Sequence, residues 1–442
     1  MLKDRRGLDV SSNSAEAVAL LDDTVDGYVT FHVDTTRRLA DSLKADPEFF
    51  LGHALKGGMA LLSLNAKNLD RARSALEKAA SLAAGATPRE RRHLEAFGAW
   101  AEGDLDRALR AWESILAVHP TDLLALRLAH FHYFWLGRSA RMLDSVVAAK
   151  RGWSGDTPGR SWVASMEAFG REECGEYEEA EHLAREAVAY DPADRWGVHA
   201  VAHVLEMQGR ASEGMAWLDQ NAGCFAGANN FVFHLTWHRA LLQLEKDGPE
   251  GLLDWYDTRV RDLSSPLVQA LPDLYIDLQN AASLLWRLEH LGVDVGPRWT
   301  ELADKAEGRI GDGSNLFTLP HLAMALAADG RFAAAERLIE AIGTMDGATL
   351  GPVATGLALP VCRAAVHHRR GEWKDVVRLM MPVRGDLWRL GASHAQRDLL
   401  WQMLVDAARK AGDDAAVAAL MVELTASRPV AAEQRRAYAR AA

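Results

Sequence analysis

The sequence predicts an all-α superhelix built from stacked helix–turn–helix pairs. Three observations carry that expectation: an alanine-rich composition, apolar residues at helical spacing, and an internal repeat punctuated by glycine and proline. About a sixth of the 442 residues are alanine, the residue that costs least in a helix. Segments such as Asp104–Val118 and Tyr177–Tyr190 place apolar residues at three- and four-residue steps. No run of alternating Val, Ile or Thr lies between turn signals, so a strand-rich domain is not expected.

The repeat is the strongest signal. Gly103 is followed at fixed offsets by Ala108, Trp112, Ile115 and Pro120. Gly175 is followed at the same offsets by Ala180, Ala184, Ala187 and Pro192, and Gly412 by Val417, Met421, Leu424 and Pro429. Weaker copies start at Gly137, Gly209, Gly330 and Gly371. Glycine suits the tight turn ending a first helix, where positive φ is cheap. The slim residue five positions on lies where two helices approach closely, and the proline ends the second helix. Several copies start about 34 residues apart, the period of tetratricopeptide repeats.

This organisation divides the chain into an amino-terminal helical segment 1–90, repeats over 91–220, an irregular helical segment 221–319 and carboxy-terminal repeats 320–442, wound as one superhelix around a central pocket. Between Asn221 and Leu319 the repeat loses phase, with Gly/Asn-rich Gly223–Asn230, Pro266, Pro272, Pro297 and the loop Gly308–Asn315. At the break Gly85-Ala86-Thr87-Pro88, Thr87 is placed to cap a helix with Pro88 first and Glu90 in its opening turn. The tryptophans at 100, 112, 217, 255, 299 and 373 fall near repeat positions and are expected to pack between helices.

Charge and cysteine use narrow the function classes. Sixty-one acidic against fifty basic residues leave a formal charge of −11, which argues against nucleic acid and anionic membranes as partners. Cys174, Cys224 and Cys362 are far apart, so neither a disulfide framework nor a cysteine zinc site is expected, and a reducing cytoplasm fits. The charged start Met1–Arg6 lacks the apolar stretch of a secretory signal, and no apolar run is long enough to span a membrane.

Several stretches resemble the tetratricopeptide repeat protein 38 family: Thr87–Arg91, His199–Arg210, His234–His238, Ala281–Glu289 and Ser393–Leu399. The likeness runs over most of the chain and is most specific around His199–Arg210. It implies an α-helical repeat fold and supplies no reaction, so the chemistry must come from the residues.

At a helical 100° per residue, His203 lies about 40° from His199 and Glu206 about 20° to the other side. The rest of that helix is apolar or small, which places the stripe in an enclosed groove. His234 and His238 repeat the four-residue spacing beside Trp237, 35 residues further on. One repeat period sets equivalent positions side by side, so the two pairs are expected to converge. Further candidates are His53, His321, and His394 with Arg397 and Asp398.

Three uses stand open. His199, His203, His234 and His238 can ligate Zn, Fe or Mn. His199, His203, Glu206 and His238 can serve as acid–base groups of a hydrolase or lyase. His53, His234, Trp237, His321, His394, Arg397 and Asp398 can hold a small-molecule ligand or substrate. Against these stands a bland reading, in which each histidine is a hydrogen-bonded core residue. The alternative function is a scaffold whose concave face binds a peptide or protein partner, and a homo-oligomer is compatible with either. The zinc-peptidase spacing H-E-x-x-H, phosphate-binding glycine loops and G-x-S-x-G are absent. His130 with His132, and His367 with His368, read as structural or surface residues. The run Arg89–His93 reads as a solvated helix face.

Overall fold

A helix that ends on a left-handed residue turns sharply enough for the next helix to pack back against it, and this step recurs along the chain. In the computed structural model, which describes residues 1–439, all seven repeat glycines adopt positive φ, from +67° at Gly137 to +83° at Gly175. The residues five positions on are small or slim and packed: Ala108, Ala180 and Ala335 are fully buried. Pro120, Pro192 and Pro429 follow helices that end at Val118, Tyr190 and Ala426. At Gly412 an added Cβ meets nothing within 4 Å, so only its φ of +69° resists substitution. Gly412→Ala is expected to cost about 1–2 kcal/mol, read as a lowered melting temperature.

Helices make up nearly all the regular structure. The described residues hold one small antiparallel ribbon, Leu2–Lys3 with Asp9–Val10, ahead of the first helix. The expected cap at Thr87 is a full capping box with Glu90. Within 221–319 the helices are broken: Leu252–Trp255 runs into a π turn at Tyr256–Val260, and Pro266–Ala270 is a short helix before the long Tyr275–His290. None of the described helices is long and apolar enough to cross a membrane. The repeat tryptophans pack between helices. Trp112 is buried against Phe97 and Trp100, and the Trp217 and Trp255 indoles donate to the Val198 and Thr236 carbonyls.

Two apolar cores meet along Phe231–Lys246. The first runs from Val10 to Tyr275 and the second from Trp237 to Tyr438. Phe231–Lys246 belongs to both: Leu235 and Leu242 enter the first, Trp237 and Leu244 the second. Polar contacts also close the winding over long chain separations. Asn65 donates to Asp273 (2.9 Å), the Leu105 N–H to Thr349 Oγ1 (3.0 Å) and the His394 N–H to Glu173 (3.0 Å).

Candidate metal centre

The seam between the two cores is where four imidazoles meet. His199 and His203 lie on the helix Arg195–Met207, which Asp194 caps by accepting the Gly197 N–H, and whose residues through Leu205 are all buried. His234 and His238 lie on Phe231–Lys246. Its start is pinned where Asn230 donates to Asp277 (2.6 Å) on Tyr275–His290. On each helix the four-residue spacing puts both rings on one face. The faces oppose each other, so the 35-residue spacing does bring the pairs together.

The contacts run ring to ring through one type of atom. Nε2 of His199 lies 3.0 Å from Nε2 of His203 and 3.1 Å from Nε2 of His234, which is 3.2 Å from Nε2 of His238. A ligating nitrogen from each of the four falls within 4.8 Å of the others. Each ring's exposure is 3% or less. An aromatic sheath excludes water: Phe169 stacks on His199 (centroids 5.3 Å), Trp237 on His234 (5.3 Å), and Trp196 and Phe231 close the His199 side.

The outer nitrogens face acceptors. His238 Nδ1–H donates to Glu206 Oε2 (3.0 Å), and His234 Nδ1–H to the Asn280 side-chain carbonyl (3.0 Å). His203 Nδ1 faces Glu172 Oε2 at 3.6 Å. Among the described residues, His199 Nδ1 has no hydrogen-bond partner, and neither do the two Glu172 carboxylate oxygens. A neutral imidazole carries one proton. His234 and His238 hold theirs on Nδ1, so the Nε2 atoms of these two rings, 3.2 Å apart, face each other as bare lone pairs.

Electrostatics reinforce this. Burial first, then the neighbouring rings, push His199 and His238 well below imidazole's ordinary value, and His234 behaves likewise. These rings are neutral at pH 7. His203 moves the other way: burial lowers it, but the Glu172, Glu173 and Glu206 carboxylates outweigh burial. Burial in turn raises Glu172 and Glu206.

The remaining candidates sit elsewhere. His53 is bonded to the Pro47 carbonyl (2.8 Å), and His321 donates Nδ1–H to the Phe317 carbonyl (2.9 Å). Both are satisfied locally, and neither joins the four rings. Trp237 packs flat on His234. The helix His394–Lys410 supports the outer layer: the His394 N–H and the Arg397 guanidinium (3.4 Å) hold Glu173, next to Glu172. Asp398 instead accepts from Arg428, Arg435, Gln402 and Tyr438. Glu206 has two faces, one on His238 and one on a cavity of about 110 Å³.

His130 and His132 are both buried and neither is a surface residue. His132 packs on Trp100 and Trp112, while both His130 ring nitrogens lack protein partners beside Trp196. His367 and His368 pair with Glu372 and Asp406. Arg89 and His93 are buried on Asp122 (2.7 and 3.0 Å), so this part of the run is an internal ion cluster, not a solvated face.

Sequence reasoning missed Glu172 and Asn280. A signal for Glu172 was present: Glu172 and Glu173 end the helix Arg160–Glu173, where the macrodipole disfavours acids. Asn280 sits mid-helix among apolar residues, where its side chain competes with the backbone.

No family model matches the chain. Over most of its length the chain is similar to helical solved structures at low identity. The human IFIT1 dimer with m7Gppp-AAAA is 11% identical, with 94% of this chain and 90% of that chain covered and a TM-score of 0.39. The human IFIT1 dimer with PPP-AAAA is 12% identical, with 95% and 96% covered and a TM-score of 0.37. Naa15/Naa10 bound to HypK-THB is 12% identical, with 94% and 70% covered and a TM-score of 0.21. At such scores the fold rests on this chain's own helix pairs: an α-helical repeat protein of tetratricopeptide type.

Proposed function

We propose that this helical repeat protein holds a transition-metal ion through Nε2 of His199, His203, His234 and His238. The observation that carries this reading is the convergence of four Nε2 atoms whose Nδ1 sides, on three rings, face Glu172, Asn280 and Glu206. Outer acceptors of this kind orient metal-ligating histidines. The spacing fits as well. Nitrogens placed tetrahedrally at ~2.0–2.1 Å from an ion stand about 3.3–3.4 Å apart, close to the 3.0–3.2 Å between neighbouring rings. Glu172 and Glu206, both beside the rings, supply carboxylates that would offset a cation's charge. An all-imidazole set suits Zn, Fe, Cu or Ni better than Mn.

Ligation is favoured over acid–base catalysis because the four Nε2 atoms face one another, out of a substrate's reach. The rings are also enclosed, so they present nothing to a peptide on a concave face. The ion would staple two successive helix pairs across the seam between the cores. The resemblance to the tetratricopeptide repeat protein 38 family supports assigning the chain there: its most specific stretch, His199–Arg210, carries His199 and His203, and a further resembling stretch, His234–His238, carries the other two rings.

Metal analysis of the purified chain tests the reading. One bound ion per chain is expected, and exchange into Co²⁺ is expected to give the visible bands of a four-coordinate nitrogen site. Protein that neither retains metal nor changes spectrum with Co²⁺ would overturn the proposal.

A further inference from the structure

The cavity behind Glu206 lies between Arg195–Met207, Phe231–Lys246, Tyr275–His290, His394–Lys410 and the chain's last described turns. Its charged lining is balanced: Arg287, Arg435 and Arg436 face Glu206, Glu245 and Asp398. Asp398 and Arg435 satisfy each other at 3.0 Å. Arg287 is 5% exposed, donates only to Ser283, and has no carboxylate within ion-pair distance among the described residues. Asp398 and Glu206 act on it only from a distance; burying a guanidinium without a contacting carboxylate is costly, and this one lines a void. Glu245 accepts the Arg436 backbone N–H (2.7 Å) and Glu206 the His238 N–H, yet among the described residues neither pairs with a lysine or arginine.

The geometry points to a binding site for a small zwitterion: an α-amino acid with an aliphatic side chain. A purely anionic ligand would meet Glu206 and Glu245, and a purely cationic one would meet Arg287. A carboxylate on Arg287 with an ammonium group near the two glutamates satisfies both signs at once. Leu241, Leu244 and Leu291 form the apolar wall. At ~10–15 Å³ for each water-sized position, 110 Å³ admits roughly seven to eleven non-hydrogen atoms. That is the size of valine, leucine or methionine.

This site shares Glu206 with the proposed metal centre, and calorimetry on the full chain, with variants placed away from Glu206, separates the two readings. L-leucine is expected to bind saturably. Isovalerate, which keeps only the carboxylate, and isopentylamine, which keeps only the ammonium group, are each expected to bind at least about thirtyfold more weakly. Arg287→Met and Glu245→Gln should each weaken L-leucine binding by a similar factor while metal content and helical content stay unchanged. Arg287→Met folds, because a buried cation without a partner is replaced by an apolar chain of similar length. The proposal falls if L-leucine gives no heat up to millimolar concentration. It falls equally if isovalerate binds as tightly as L-leucine, or if Arg287→Met keeps wild-type affinity.

Discussion

Replacing His234 by alanine is expected to abolish stoichiometric metal binding and lower the melting temperature by several degrees. His234 is the most connected of the four rings: its Nε2 neighbours both His199 and His238, and its Nδ1 is held by Asn280. Its loss removes a ligand and one of the polar ties between Phe231–Lys246 and Arg195–Met207, leaving the His238–Glu206 contact. An ion present at a thousandfold excess over its dissociation constant stabilises the native state by about 4 kcal/mol, and this linkage is what the variant loses. Glu172→Gln separates holding the ion from orienting a ring. It keeps all four nitrogens and is expected to weaken metal binding about 10–100-fold without abolishing it. His234→Gln, which fills the space better, guards against simple cavity damage. Metal content by elemental analysis, with thermal melts before and after chelation, reads both effects. A His234→Ala protein that retains one ion, or a wild type whose melt ignores chelation, contradicts the assignment.

The four rings were legible because two periodicities coincide on them. A four-residue step aligns His199 with His203 and His234 with His238, and one repeat length superimposes the pairs. The turn glycines were legible for a similar reason, since positive φ is a backbone demand that few residues meet. What escaped notice lies across helices with no such period. Glu172 reaches His203 from the preceding helix pair, and Asn280 reaches His234 across a separation of 46 residues within the out-of-phase segment. His53 and His321 drew attention as lone polar residues in apolar helices. Each is satisfied by a backbone carbonyl six or four residues earlier, a local solution that residue type alone does not distinguish from a ligand. Asp398 was singled out beside His394 and Arg397, but its role depends on Arg428, Arg435 and Tyr438 at the end of the described chain.

That cluster yields the second large effect: Asp398→Ala is expected to cost about 3–5 kcal/mol and to release residues 428–438. Asp398 accepts from Arg428 (2.8 Å), Arg435 (3.0 Å), Tyr438 (2.6 Å) and Gln402 (2.7 Å), and its side chain is 4% exposed. Without it, the Arg435 guanidinium and the Tyr438 phenol lose this acceptor and Arg428 keeps only the His394 carbonyl (3.3 Å), so the segment's cheapest escape is into water. Hydrogen exchange is therefore expected to rise in 428–438 before it rises in the repeats. The pH dependence follows from the same contacts. Burial alone would raise the Asp398 carboxyl, but Arg428 and Arg435 outweigh it and hold the group far below the usual carboxylate range. A lowered folded-state value means the stabilisation is complete above the unfolded value of about 3.9 and is lost as pH falls below it. The stability gap between wild type and Asp398→Asn should thus be constant from pH 5 to pH 7 and close progressively below about pH 4. A gap that closes between pH 5 and pH 7 instead would show that another group governs this segment. Slow exchange retained in 428–438 of Asp398→Ala would show that apolar packing around Tyr438, and not the ion cluster, holds this segment.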